Sequence, residues 1–419
     1  EILENPEPGF KEFKTSKIVS REFDSLDMHH ESEIAITGLK SHLDSGNPGR
    51  NIAVIGELDS VKVLGHPFGD KETTAAHACG HHCQIAMMLG VAVGLKASGV
   101  LESLSGKVTF MAVPAEEYIE IEYRDNLRRN GEIEFLGGKP EFVRLGHFDD
   151  IDMAMMTHTS VPTNDSKITI GGTNVGMVGK SIQFSGVASH AGGSPHLGVN
   201  ALNAAMVAMS AIHAQRETYR DKDSIRIHPI ITKGGVAVSS VPADVRMETY
   251  VRGGSIEAFL SASEKVDRAL RAGAMTVGGS VTIQTLPGYL PIQNNETFLD
   301  LYQNNAAELV GQEKISRLPP HVMHGTGSTD MGDISQLMPV IHPYVEAASG
   351  NGHGIDYVID DYELAVVTCA KAMAMTVIDL LADGASNASQ IISENDSPLT
   401  IPSYLSLLRS MTKEETFKE

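Results

Sequence analysis

Short apolar runs that stop at structure-breaking or metal-binding residues constrain this chain more than any other feature. Asn51-Ile52-Ala53-Val54-Ile55-Gly56 and Lys107 to Val113, which ends at Pro114, read as buried strands, and Asp152 to Thr157 is a third, Met-rich run. Between the first two, Ile85 to Lys96 has helical length and composition, with Gly99 as a stop. Strands alternating with helices predict an α/β domain with a mainly parallel sheet covered on both faces. The segments that carry chemistry sit at the ends of such elements. They are His77-Ala78-Cys79-Gly80-His81-His82, Pro114-Ala115-Glu116-Glu117, Thr157-His158-Thr159 and, far downstream, Gly352-His353-Gly354. That placement gathers them at one edge of the sheet, where open α/β folds bind ligands.

After about Ile170 the pattern changes. Lys180 to Ser185 alternates apolar and polar, Asn200 to Arg216 is an amphipathic helix, Ile225 to Thr232 and Val245 to Arg252 are strand-like, Ser255 to Arg271 is a helix, and Ser280 to Thr285 is a strand. The order β-α-β-β-α-β predicts a ferredoxin-like α+β unit inserted into the first domain. The expected boundaries are 1–174 for the first part of the catalytic domain, 175–286 for the insert, 287–386 for the second part, and 387–419 for a C-terminal tail. Gly288-Tyr289-Leu290-Pro291 is the return linker, Glu296 to Val310 a helix, Val340 to Val345 a strand, and Asp361 to Leu381 a long apolar helix that repacks on the sheet. The tail reads as polar, with one short amphipathic stretch from Tyr404 to Leu408.

A chain of 419 residues is too long for one simple core, which agrees with two domains. Its net charge of -20 argues against nucleic acid or anionic membranes as partners, and no apolar run reads as long enough to span a bilayer. Cys79, Cys83 and Cys369 give no disulfide framework and predict a reducing, cytoplasmic setting. The chain starts at Glu1 without a methionine, so a preceding targeting segment stays open.

In an extended loop, residues two apart point the same way, so Cys79 and His81 can face one metal site. A thiolate can bridge two cations, and imidazole suits Zn, Mn, Co or Ni. The bland alternative is a buried thiol with a nearby capping histidine. Glu116 and Glu117, adjacent at a strand end, point to opposite sides. One can ligate a metal while the other holds a water as general base; the alternative is an acidic turn. His158 and His353 are further ligand candidates, though either alone is more often structural. Asp59 is either an acceptor that orients a ligand imidazole or a strand-terminal cap. In the insert, His190 in Ala188-Ser189-His190-Ala191-Gly192-Gly193 can polarise a substrate carbonyl or simply occupy a turn. Arg252 can clamp a carboxylate or lie solvated at a strand end.

Taken together, His77-Ala78-Cys79-Gly80-His81, Ala115-Glu116-Glu117, Ser189-His190-Ala191 and Gly352-His353 resemble the motifs of the aminoacylase/carboxypeptidase metallopeptidases (peptidase family M20). The branch resembled includes p-aminobenzoyl-glutamate hydrolase, Xaa-Arg dipeptidases and indole-acetyl-amino-acid hydrolases. Gly327-Ser328-Thr329-Asp330-Met331-Gly332-Asp333-Ile334-Ser335 looks closest to the first two. The resemblance implies a di-metal hydrolase domain carrying a lid and dimerisation domain. It implies two divalent ions, with Mn or Zn foremost and Co or Ni as alternatives. Cys79 would bridge the ions, with Glu117 and His353 completing one site and His81 and His158 the other. Glu116 would be the base, and His190 would reach the active site of the partner in a homodimer. The implied substrate is an N-acyl, aroyl or aminoacyl amino acid with a free carboxylate, for which Arg252 is the lid residue suited to bind.

Three positions depart from the pattern. His82 and Gln84 stand where indole-acetyl-amino-acid hydrolases have Asp and His, and Ser239 stands where the family often has Asn, so Ser239 is a candidate substrate contact. Two rival readings are a catalytically silent relative used for binding or assembly, and a cysteine enzyme using Cys79 and His81.

Overall fold

The computed structural model describes residues 1–418. Its central sheet has six strands in the order His30–Ile34, Gly38–Asp44, Gly106–Val113, Arg50–Glu57, Met153–Met155 and Val340–Ile341. The last four run parallel, and the first two add an antiparallel hairpin at one edge. The run from Asn51 is buried on both sides because successive side chains enter different cores. Ile52 and Val54 pack in one core with the helix His81–Ser98. Ala53 and Ile55 pack in the other, with Phe142 and Phe148.

A smaller four-stranded sheet is ordered Ile315–Met323, Ile168–Thr173, Tyr344–Glu346, His158–Ser160. The expected strand from Val340 to Val345 is therefore two strands in two sheets. The break falls at His342-Pro343, where proline has no N–H to continue a ladder. This jump carries the chain from the central sheet across to His158.

The inserted domain is ferredoxin-like. Its antiparallel sheet runs Arg226–Ile227, Asp244–Gly253, Gly176–Ser185, Ser280–Pro287, with Ile230–Lys233 also on Asp244–Gly253. The helices Ala201–Ala214 and Ile256–Val277 cover one face. Val245, Met247 and Val251 point to that covered side, while Arg246, Tyr250 and Arg252 alternate onto the other. The expected strand from Ile225 to Thr232 is interrupted at His228-Pro229 for the same reason as above.

Residues after 387 are not a polar tail. The long helix Cys369–Glu394 breaks at Ala382–Ala385 and continues. A second helix, Ile401–Met411, starts on a capping box at Thr400 and buries Tyr404, Leu408 and Met411. The hydroxyl of Tyr404 donates to Asp333 Oδ1 at 2.9 Å. Lys413–Lys418 then pairs with Ser280–Pro287 and closes that edge of the lid sheet. The segment thus straps the lid to the catalytic domain. The helical stretch Glu363–Glu394 is long and apolar enough, at a mean hydropathy of 1.8, to cross a membrane, contrary to the reading from sequence. Its Leu380 and Leu381 sit in the same core as Ile52 and Val54 of the central strand.

Candidate metal centre and active site

The carboxyl ends of the central strands converge on one cluster. Gly80 begins the helix His81–Ser98 with φ of 84°, and a Cβ there would stand 1.9 Å from Thr159 Oγ1, so only glycine fits. This tight start puts Cys79 and His81 side by side. The donor atoms of Cys79, His81 and His158 lie within 4.8 Å of one another, and so do those of Cys79, Glu117 and His353. Two triads therefore share one thiol.

Each imidazole is aimed by its other nitrogen. His81 Nδ1–H donates to the Asp59 carbonyl at 3.0 Å and to Asp59 Oδ1 at 3.2 Å, leaving Nε2 for the cluster. His158 Nδ1–H donates to its neighbour's carbonyl, Thr159 O, at 2.5 Å, which leaves Nε2 3.3 Å from Cys79 Sγ. His353 Nε2 is 3.1 Å from Glu117 Oε1 and is the open, half-exposed member. Asp59 also accepts from the Glu117 N–H through Oδ2 at 2.9 Å. One carboxylate thus holds a residue from each triad, which is more than a strand cap does.

The Pro114–Tyr118 loop is pinned at several of its backbone groups. Ala115, at φ 57°, donates its N–H to Glu12 Oε1 at 2.8 Å. The buried guanidinium of Arg124 donates to the carbonyls of Ala115 and Glu117, and Tyr289 donates its hydroxyl to that of Glu116. The side chain of Glu116 ends 3.9 Å from His81 Nε2. Glu12, Arg124 and Tyr289 have no local signature in the sequence, since what each holds is not visible from its own neighbours.

The electrostatics fit two cations. Glu57, Asp59, Glu116, Glu117 and Asp330 are all buried here, and among their buried neighbours Lys139 is the ammonium that meets them. Without metal, protons take up part of the imbalance. Glu117 raises His353 to about 11. Burial works against a charged His81, but Glu57 and Cys79 raise it well above its usual value. Burial and Glu117 oppose ionisation of Cys79, yet His158 and His81 prevail and bring the thiol down to about 6. Burial, reinforced by Glu57, Glu117 and Asp330, pushes Glu116 well above the usual carboxylate range. His81 Nε2 and Glu117 Oε1 are buried and make no well-aligned hydrogen bond among the described residues, only ion-pair contacts with Glu57 Oε2 at 3.2 Å and His353 Nε2 at 3.1 Å. Orphaned donors, a shared thiol and excess buried negative charge are what a pair of divalent ions would satisfy.

The remaining candidates lie on the lid. Arg252 is half-buried, donates from one terminal nitrogen to Thr326 O at 3.2 Å, and keeps Nε unpartnered among the described residues. His190 is exposed, with Nδ1 accepting from the N–H groups of Gly192 at 3.2 Å and Gly193 at 2.8 Å. Ser239 is exposed beside it, its carbonyl accepting from Ala191 N–H at 2.9 Å. Neither His190 nor Ser239 joins the two triads of its own chain.

The model of peptidase family M20/M25/M40 matches residues 53–379, which span every ligand candidate. This chain belongs to that family. It is 29% identical over 348 residues to the Xaa-Arg dipeptidase of Mus musculus, covering 80% of this chain and 72% of that one. It is 29% identical over 228 residues to a p-aminobenzoyl-glutamate hydrolase homolog of Haemophilus influenzae, covering 52% and 49%. Among solved structures, a dinuclear metal-binding M20 peptidase from Bacillus subtilis has the same fold, with a TM-score of 0.62, 20% identity and coverage of 91% and 95%.

Proposed function

We propose that this chain is a two-metal amidohydrolase that cleaves the amide bond of N-acyl, aroyl or aminoacyl amino acids. The observation that carries the reading is the pair of ligand triads sharing Cys79, with the Glu116 carboxylate beside them. The family and the names of its relatives, a dipeptidase and a p-aminobenzoyl-glutamate hydrolase, support the substrate class.

Cys79, His81 and His158 would hold one ion and Cys79, Glu117 and His353 the other; the thiolate and imidazoles suit Zn, and the carboxylate also suits Mn. Bound there, the ions would polarise the amide carbonyl and make water more acidic. Glu116 takes a proton from the attacking water and delivers it to the leaving amine. Its hydroxyl-pinned carbonyl and flanking loop keep that carboxylate in place. Arg252, on the lid face turned away from the lid helices and with Nε free, binds the substrate's carboxylate.

A homodimer supports the remaining roles. His190 and Ser239 are exposed amid Val187, Leu197, Val236 and Val238, apolar side chains left in water by the single chain. The strap closes one lid edge, and the other carries Ile230 and Ile231, also exposed. A second copy laid there would bury these side chains and bring His190 to its partner's substrate. Three free thiols, Cys79, Cys83 and Cys369, favour a cytoplasmic, reducing setting.

The test is hydrolysis of a panel of dipeptides and N-acyl amino acids by protein reconstituted with each metal. Glu116→Gln should keep its metal and lose at least about 10²-fold in turnover. No hydrolysis by fully loaded wild type would refute the reading and leave a binding role.

A further inference from the structure

The loop that carries Glu116 is held from two sides. Arg124, on the helix Ile121–Arg129 of the catalytic domain, takes the carbonyls of Ala115 and Glu117. The carbonyls of Glu116 and Tyr118 are held from the lid side. Tyr289, in the linker that returns from the lid, donates its hydroxyl to Glu116 O at 2.5 Å, and Tyr250, on the lid strand Asp244–Gly253, donates to Tyr118 O. A third bond runs the other way. Tyr118 donates its own hydroxyl at 2.8 Å to the carbonyl of Pro287, the last residue of the lid strand Ser280–Pro287. The two ends of the lid are joined as well, since the Met177 N–H donates to Tyr289 O at 2.7 Å.

The three rings meet edge to face: Tyr118 stands 5.9 Å from Tyr250 at 83° and 5.5 Å from Tyr289 at 87°. Tyr118 and Tyr289 belong to a small buried cluster apart from the two larger cores, to which the catalytic domain gives Ile121 and Leu136 and the lid gives Met177 and Leu286. Glycine makes room for the rings in both domains. A Cβ on Gly179 of the lid would stand 2.8 Å from Tyr118 Cε1, and one on Gly137 of the catalytic domain 2.6 Å from Tyr289 Cε1. Phenylalanine would fill the same space and pack in the same way. A buried hydroxyl is unfavourable unless it is paired, and all three here are paired across the boundary between loop and lid, none within its own element. Other contacts across that boundary, such as the Arg246–Glu122 ion pair and the bond from Gln284 to Asp125 at 3.0 Å, reach the helix beyond the loop and touch neither Glu116 nor Glu117.

We propose that these three hydroxyls transmit the orientation of the lid to the catalytic base, with Tyr289 and Tyr250 as positioning residues for Glu116 and Tyr118 as the link between them. This rests on the reading of Glu116 as the base. Closing of the lid over a substrate then sets the base in place, because the linkers about which the lid turns are bonded to the loop that carries it.

The experiment measures kcat, KM and bound metal for Y289F, Y250F, Y118F and, as a control for lid contact in general, R246A, each in the wild-type and in the E116Q background. Y289F should lower kcat about tenfold, as expected for a buried acceptor left unpaired, with KM and metal content within about threefold of wild type. Y250F and Y118F should each lower kcat at least about threefold, and Y289F with Y250F by less than the product of the two effects. R246A breaks an exposed ion pair and should keep kcat within about twofold. In E116Q the tyrosine substitutions should change the residual rate by less than about twofold, because no base remains to be positioned. Wild-type kcat in Y289F, or losses of equal size in E116Q, would overturn the proposal. So would a loss in R246A as large as in Y250F, since any lid contact would then suffice. A loss in Y289F alone overturns the part given to the lid. Tyr250 is only half-buried, so Y250F decides the matter if Y289F does not fold. E116Q with most of its activity intact sinks the reading of Glu116 as the base, an outcome distinct from all of these.

Discussion

Asp59 offers the sharpest perturbation, because its two oxygens serve different triads. Oδ2 accepts the buried N–H of Glu117 at 2.9 Å, and Oδ1 accepts from His81 Nδ1 at 3.2 Å, where the Asp59 carbonyl also accepts at 3.0 Å. In Asp59→Asn the amide oxygen can keep the Glu117 N–H, while its NH₂ faces the His81 N–H, donor against donor. The main-chain carbonyl still orients His81, so the loss is charge and one hydrogen bond. That places the effect near the lower end of the 10–100-fold range for such partners, about tenfold or ~1.4 kcal/mol, on the ion held by His81. Asp59→Ala also leaves the Glu117 N–H unpaired in a buried site, which costs about 1–3 kcal/mol more. Both ions should then weaken, one of them by about 100-fold. Competition with a fluorescent chelator reads both constants. If Asp59→Ala binds both ions within threefold of wild type, Asp59 is a strand cap and the reasoning fails.

Other consequences are equally direct. Burial, with Asp59 nearby, pushes Glu12 from 4.5 up to about 7. The folded state therefore keeps a proton that the unfolded chain releases, and stability present below pH 4.5 is lost as pH rises through 7, by about 3 kcal/mol at most. Glu12→Gln should flatten that part of the profile in urea melts of the apo protein; an unchanged slope would contradict it. Since His353 is raised to about 11 and His81 well above its usual value, metal uptake at pH 7.5 should expel about two protons. Calorimetry in buffers of different ionisation enthalpy measures this, and release of less than one proton would count against the ligand set. Blocking the substrate's carboxylate as an amide should lower kcat/KM at least about tenfold. Arg252→Ala should do the same on the free acid but little on the blocked one, and equal losses on both would make Arg252 structural.

What could be read in the sequence was local. Cys79 and His81 are visible because two-residue spacing in an extended segment sets a shared direction, and Glu116 and Glu117 because adjacent residues at a strand end diverge. The same two-residue rule applies to Glu57 and Asp59, but only Asp59 suggested a role, because nothing nearby shows that Lys139 will arrive on Glu57. Glu12, Arg124 and Lys139 find their partners only in the fold, and buried charges of this kind look like ordinary surface residues in a sequence. The lid was legible from the period-two alternation of strands such as Asp244–Gly253. The strap strand Lys413–Lys418 was not, since an exposed charged edge strand carries little apolar pattern. Proline breaks at Pro229 and Pro343 were in plain view, yet they split strands that hydropathy alone joins.

The central claim is that two ions sit on either side of the Cys79 thiolate. Anomalous diffraction from crystals of the metal-loaded protein measures this directly. Two peaks about 3.5–4 Å apart are expected, with Cys79 Sγ between them, His81 and His158 on one and Glu117 and His353 on the other. A single ion, or a pair that leaves Cys79 unligated, would contradict the account.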